Sequence, residues 1–154
     1  MKRHPGLKEL SSDHHQGLVQ ASRLIKASTG TGEGPKLDKE EIARDFVRFF
    51  WEHANHHFRE EEEVLLPAFA RYVDPSTEPI PKMLVEHIQI RRFVADLERE
   101  LSEGNPSPET MGEAGTLLRA HIRLEENVIF PLIERAMPEE ALAALAEALL
   151  DDRR

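Results

Sequence analysis

HHFREEEEVLLP, residues 56–67, runs two histidines, an aromatic and four consecutive glutamates straight into an apolar triplet and a proline. Taken alone, such a glutamate run is the solvated face of a helix. A second stretch, HIRLEENVIFP at residues 121–131, changes that reading, because His, Glu and Pro recur in it at the same offsets. His57 and Glu61 are four apart with Pro67 six further on, and His121, Glu125 and Pro131 repeat the spacing. The chain carries a degenerate internal duplication, and what is duplicated is His-x-x-x-Glu.

Around these stretches, apolar residues recur at three- and four-residue intervals and no segment alternates as a half-buried strand would, so the expected fold is all-α. Leu7, Leu10, Leu18, Ala21, Leu24 and Ile25 predict a first helix over about residues 7–27. STGTGEGPKL, 28–37, breaks it. Asp38 followed by Glu41 resembles a capping box and opens a second helix reaching about residue 72. After the turn segment DPSTEPIP, 74–81, a third helix follows from Met83, Leu84, Ile90, Val94, Leu97 and Leu101. Ser107 is placed to cap a fourth, with Pro108 at its first position. That helix runs to about Ala136, and a short fifth occupies about residues 138–150. Four long helices with short connections make an antiparallel up-down bundle, with the short extra helix appended. Pro67 and Pro131 lie inside apolar patterns that continue beyond them. Each is expected to kink its helix and free one carbonyl, on Glu63 and Asn127.

Composition narrows the chemistry. The 154 residues are read as one domain with its bundle core at about 7–136, large enough to bury roughly 70% of the surface of the unfolded chain. With no cysteine there is no disulfide, thiolate ligand or cysteine nucleophile, so any metal is held by nitrogen and oxygen. A formal charge of −9 argues against nucleic-acid and anionic-membrane partners. The opening MKRHPGLKEL has no apolar signal region and no run approaches a membrane span, so a cytoplasmic location is expected.

At 100° per residue, each long helix directs one histidine inward: His14, His57, His87 and His121. On the second helix Phe46, Phe50, His53, His57, Glu61, Val64 and Ala68 share a face, with Phe58 well off its centre. On the fourth, Leu117, His121, Glu125, Val128 and Leu132 are collinear. Glu61 is therefore the one glutamate of its run meant for the interior. Two carboxylates and four imidazoles in an apolar bundle would be very costly unless neutralised. Arg91 is a candidate counter-charge; one dication or a pair would satisfy all six groups together. His53 stands as a candidate extra ligand or a core residue. His4, His15 and His56 are expected at the surface, with His15 replacing His14 if the first helix is rotated by a residue.

SSDHHQGL, HFREEEEVLLP, VEHIQI and HIRLEENVIFP together resemble the hemerythrin-like, HHE cation-binding family, over about residues 7–136. The resemblance implies a four-helix bundle holding a non-haem di-iron centre. In it Glu61 and Glu125 bridge the two irons; His14 and His57 serve one, and His87 and His121 the other. The chain departs from oxygen-carrying hemerythrins in having Arg91 where they place a second histidine on the third helix. It also has Glu125 where they use an aspartate five residues after the histidine. The function expected is therefore binding of, or response to, O₂, NO, peroxide or iron itself, in a monomer or homodimer. The nitrogen and oxygen donors also suit Mn or Zn. Beyond the metal groups no acid, base or nucleophile stands out, which favours a binding protein over an enzyme. Two rivals remain: a ferritin-like di-iron oxidase, disfavoured because those bundles use Glu-x-x-His, and a metal-free helical interaction protein.

Overall fold

The computed structural model describes residues 2–30 and 38–153, and among them there are helices and no strand. A 3₁₀ turn at Pro5–Leu7 leads into α1 (Lys8–Thr29). Helix α2 covers 39–69, α3 is Ile80–Ser102, α4 covers 108–136, and α5 is Glu139–Asp152. The all-α bundle is as expected: α1 and α3 each pack against both α2 and α4. Short connections at 70–79 and 103–107 make sequential neighbours antiparallel. Of the first breaker, Gly30 ends α1 in the left-handed region, φ 67°, with its N–H on the Lys26 carbonyl; residues 31–37 lie outside the described residues. The caps form as read. Asp38 accepts from the N–H groups of Glu40 and Glu41, and Ser107 from that of Thr110.

What the 3.6-residue period does not anticipate is three π-helical turns, Phe50–Ala54 and Glu61–Leu65 in α2 and Glu125–Ile129 in α4. In the latter two, the Leu66 and Phe130 N–H groups donate five residues back, to the carbonyls of Glu61 and Glu125. A π turn adds one residue to the helix and rotates everything beyond it. The expected stripe is corrected accordingly. Leu65, Phe69, Ile129 and Ile133 are buried, whereas Val64, Ala68 and Leu132 are only partly buried and Val128 is exposed. Phe58, expected off-centre, is core. Pro67 and Pro131 follow the π turns, each at the second position of the resumed α-helix, and both helices run on past them.

The rotation creates the layering that matters for function. One apolar cluster contains Leu24, Phe46, Phe58, Val94 and Ile122; a second contains Leu10, Leu65, Met83, Ile129 and Phe130. Between them, each long helix contributes inward polar residues. The second cluster is closed by α5, whose Leu142, Leu145 and Leu149 are buried, so this helix packs on the bundle. At ~1.5–3 kcal/mol for each fully buried leucine, that face is sufficient to dock the helix. Helices α1 and α4 approach closely at Gly115, where a Cβ would sit 2.8 Å from the Ala21 carbonyl oxygen.

Candidate metal centre

All six sequence-predicted groups meet in the polar layer, and none is more than 6% exposed: His14, His57, Glu61, His87, His121 and Glu125. Each carboxylate divides its oxygens between two sides. Glu61 Oε2 lies 3.2 Å from His57 Nε2, and Oε1 lies 3.1 Å from His87 Nε2. Glu125 Oε1 lies 2.8 Å from His14 Nε2 and 3.7 Å from His57 Nε2; its Oε2 lies 2.7 Å from His121 Nε2 and 3.7 Å from His87 Nε2. Two four-donor groups result, His14, His57, Glu61 and Glu125 on one side, and His87, His121, Glu61 and Glu125 on the other. The donor atoms of each lie within 4.8 Å of one another.

Proximity does not satisfy these atoms. Only His14 Nε2 and Glu125 Oε1 have hydrogen-bonding geometry. The Nε2 atoms of His57, His87 and His121, both Glu61 oxygens and Glu125 Oε2 are buried with no directed partner. At about 1–3 kcal/mol each, six such atoms would consume much of the ~5–15 kcal/mol by which a domain is stable. A cation in each four-donor group removes that cost, and imidazole with carboxylate is the donor set of Fe, Mn and Zn sites. The residues fit a metal.

The outer ring nitrogens account for much of the remaining acid. His57 Nδ1 is 2.9 Å from Asp13, His87 Nδ1 2.6 Å from Glu62, His121 Nδ1 2.8 Å from Glu86 and His14 Nδ1 2.7 Å from Glu126. A carboxylate behind each imidazole fixes the ring and its tautomer and raises its basicity as a ligand. The arrangement is pseudo-symmetric. The acid preceding the histidine on α1 or α3 backs the histidine of α2 or α4, and the acid following the glutamate on α2 or α4 backs the histidine of α3 or α1. Sequence reasoning missed all four, although the signal was present as acidic neighbours in Asp13-His14, Glu86-His87, Glu61-Glu62 and Glu125-Glu126.

The glutamate run is thereby resolved residue by residue, with one correction. Glu61 enters the layer, Glu62 backs His87 and is also bonded by Arg91, and Glu63 is exposed beside Arg59. Glu60 is buried too, at 1% exposure, because Arg153 beyond α5 binds both its oxygens. His53 is corrected as well: the π turn at Phe50–Ala54 leaves it exposed, outside both donor groups, with its ring near Phe49. His15 and His56 are exposed. His4 is part-buried, its Nδ1 accepting from the Gly6 N–H.

Charge in the layer is mutually induced. Burial opposes protonation of His87, but Glu125, Glu61 and Glu62 outweigh it and raise its pKa to about 10. At His121 burial is likewise outweighed, by Glu125 and Glu86, giving about 9. His14 and His57 are raised also. Burial works to raise Glu62 and Glu126, but His87 with Arg91, and His14 with Ser11, bring each down to about 2. Proton competition with metal therefore extends well above the pH of ~6 expected for ordinary imidazoles. For the chelated chain the stabilities follow from linkage. The raised histidines stabilise fully below their ordinary 6.5 and lose this as pH climbs through about 9 to 10. The lowered glutamates stabilise above their ordinary 4.5 and lose this as pH falls through about 2. Thermal melts after chelation should peak at about pH 5–6 and decline on both sides; an unchanged Tm from pH ~6 to ~10 would contradict the assignment of charge.

A cavity of about 280 Å³ abuts the layer on one side. Gly17, Phe49, Ala54, Phe58, Leu118 and Ile122 wall it, and it reaches His14, His57, His121 and Glu125. Helical periodicity alone does not anticipate it.

Fold and site together define a helical bundle built around a buried carboxylate–imidazole layer whose donors could hold cations. The family model for the hemerythrin HHE cation binding domain matches residues 7–133, and the chain belongs to that family. Neither a curated protein nor a solved structure gives a match. Among the described residues no helix is long and apolar enough to cross a membrane.

Proposed function

We propose that this chain holds two iron ions, one in each four-donor group, bridged by Glu61 and Glu125, and that the pair binds or responds to O₂, NO or peroxide. When bound, the irons would supply a redox couple and Lewis acidity toward a small ligand. The chain supplies the rest. Four imidazoles oriented from behind by Asp13, Glu62, Glu86 and Glu126 set the donor positions. The two carboxylates balance much of the ions' charge where water is excluded. The observation that carries the small-ligand reading is the apolar cavity against His14, His57, His121 and Glu125. At about 280 Å³ it lies at the lower end of ordinary ligand pockets, and its walls suit a small uncharged molecule. Arg91, whose guanidinium is bonded to Glu62, offers no additional nitrogen ligand. This favours a sensing or responding role over plain oxygen carriage.

The test is anaerobic loading with ferrous iron followed by separate titration with NO, O₂ and peroxide, read by visible absorption. One of the three should produce a saturable spectral change at about one equivalent per iron pair. Two bound irons indifferent to all three would leave a protein that holds iron without using the cavity.

A further inference from the structure

Three of the four outer carboxylates are held in turn by an arginine. Arg91 of α3 donates to Glu62 at 3.0 and 3.4 Å. Arg3, before α1, donates to the Glu126 carboxylate at 3.0 Å, to the Glu126 carbonyl at 2.9 Å and to Glu134 at 2.7 Å. Arg153, after α5, donates to Asp13 at 2.6 Å and to both Glu60 oxygens at 2.9 Å. Glu86, behind His121, has no arginine partner among the described residues.

The distribution is asymmetric. His14 and His57 form one donor group, and the acids behind them are gripped by Arg3 and Arg153, which lie outside the four long helices. The acids behind His87 and His121 depend on the bundle alone. Moreover, the two outer segments dock on each other. A Cβ at Gly6 would lie 2.7 Å from the Leu142 carbonyl oxygen, so only glycine allows this backbone approach to α5. His4 Nε2 lies 2.9 Å from Glu139 at the start of α5. Phe130 meets both the Arg3 guanidinium, 5.6 Å from its ring centre, and the His14 ring, stacked at 5.5 Å.

We propose that docking of the segment 3–7 and of α5 is coupled to metal binding in the His14/His57 group, with Arg3 and Arg153 acting as positioning residues through Glu126 and Asp13. The inference rests on the metal reading above. Arg3 holds Glu126 Oε2 while Oε1 faces His14 Nδ1, and Arg153 shares Asp13 Oδ2 with His57 Nδ1, so each guanidinium helps fix the acid that orients the imidazole. Coupling of this kind is reciprocal: whatever docking adds to metal affinity, metal adds to docking.

The test titrates ferrous iron alone, anaerobically, into the full chain, with calorimetry resolving two equivalents. Arg153→Gln should weaken one equivalent by about 10- to 100-fold and leave the other near its original strength. Gly6→Val, which removes no charge, should weaken the same equivalent, so that Gly6→Val combined with Arg153→Gln still leaves one at full strength. Arg91→Gln should act on the opposite group, and its combination with Arg153→Gln should weaken both. In the unaltered chain, iron should slow hydrogen–deuterium exchange across 139–152, a measurement that needs no variant to fold. If Arg153→Gln leaves both equivalents intact or weakens both alike, or if exchange in α5 ignores iron, the coupling is overturned while the metal reading stands. No iron bound by the unaltered chain would overturn both.

Discussion

Glu61→Ala and Glu125→Ala are each expected to reduce bound metal from two equivalents to background, whereas His14→Ala or His121→Ala should cost only one. The difference follows from how the carboxylates face the layer. Glu61 turns one oxygen toward His57 and the other toward His87, and Glu125 turns one toward His14 and the other toward His121. Removing either glutamate takes a donor and a negative charge from both groups, while removing a histidine takes a donor from one. Charge sharpens the contrast, because the imidazoles left behind face each other with less carboxylate between them: the His14 and His57 ring centroids are 5.1 Å apart, and those of His87 and His121 4.9 Å. Elemental analysis after dialysis, on protein shown by circular dichroism to be folded, measures the outcome. A glutamate variant that retains a full equivalent would show that the carboxylate does not bridge.

Phe58→Ala should destabilise the chain by about 3–5 kcal/mol, a large fraction of the ~5–15 kcal/mol available to a domain. The ring is buried and stacks on His87 with centroids 4.0 Å apart and planes 9° off parallel. It also meets His121 and Phe50 edge-on at 5.5 and 6.0 Å, with the Arg91 guanidinium 5.5 Å from its centre. Its loss opens a void beside the polar layer and frees the His87 ring on one face. Urea unfolding of the chelated variant isolates the packing effect from metal binding. Trp51→Ala serves as the control: Trp51 is 54% exposed on the same helix and should change stability by no more than ~0.5 kcal/mol. Equal effects of the two substitutions would mean that Phe58 is not the wall of the site.

How far the sequence could be read depends on how faithfully each helix keeps its period. Helices α1 and α3 are regular, and on them the apolar stripe placed His14 and His87 in the interior, where they are found. On α2 and α4 the duplicated His-x-x-x-Glu spans one regular turn, so His57, Glu61, His121 and Glu125 were placed as well. Beyond each glutamate the stripe moved by a residue, because a π turn changes hydrogen bonding without altering residue type. Nothing in Glu-Glu-Glu-Val-Leu marks its carbonyl as accepting from five residues on. The same kind of shift at Phe50–Ala54 exposes His53 and turns Phe58 inward.

The outer carboxylates were hidden for a different reason. Asp13, Glu62, Glu86 and Glu126 each adjoin an inward residue, and an acid one step off the core stripe reads as helix surface. What converts it into a partner is a histidine on another helix, which a single-helix projection does not contain. Glu60 is the extreme case: its burial depends on Arg153, some 90 residues away along the chain.

The most direct test of the account is the metal content of the chain, expressed without a chelating tag and analysed for all first-row metals, with absorption recorded before and after exposure to air. About two irons per chain, with near-ultraviolet absorption that changes on exposure to air, is the predicted result. A folded chain that carries no metal and cannot be loaded with iron would contradict it, and the His/Glu layer would then be a self-neutralising network within a bundle that serves another purpose.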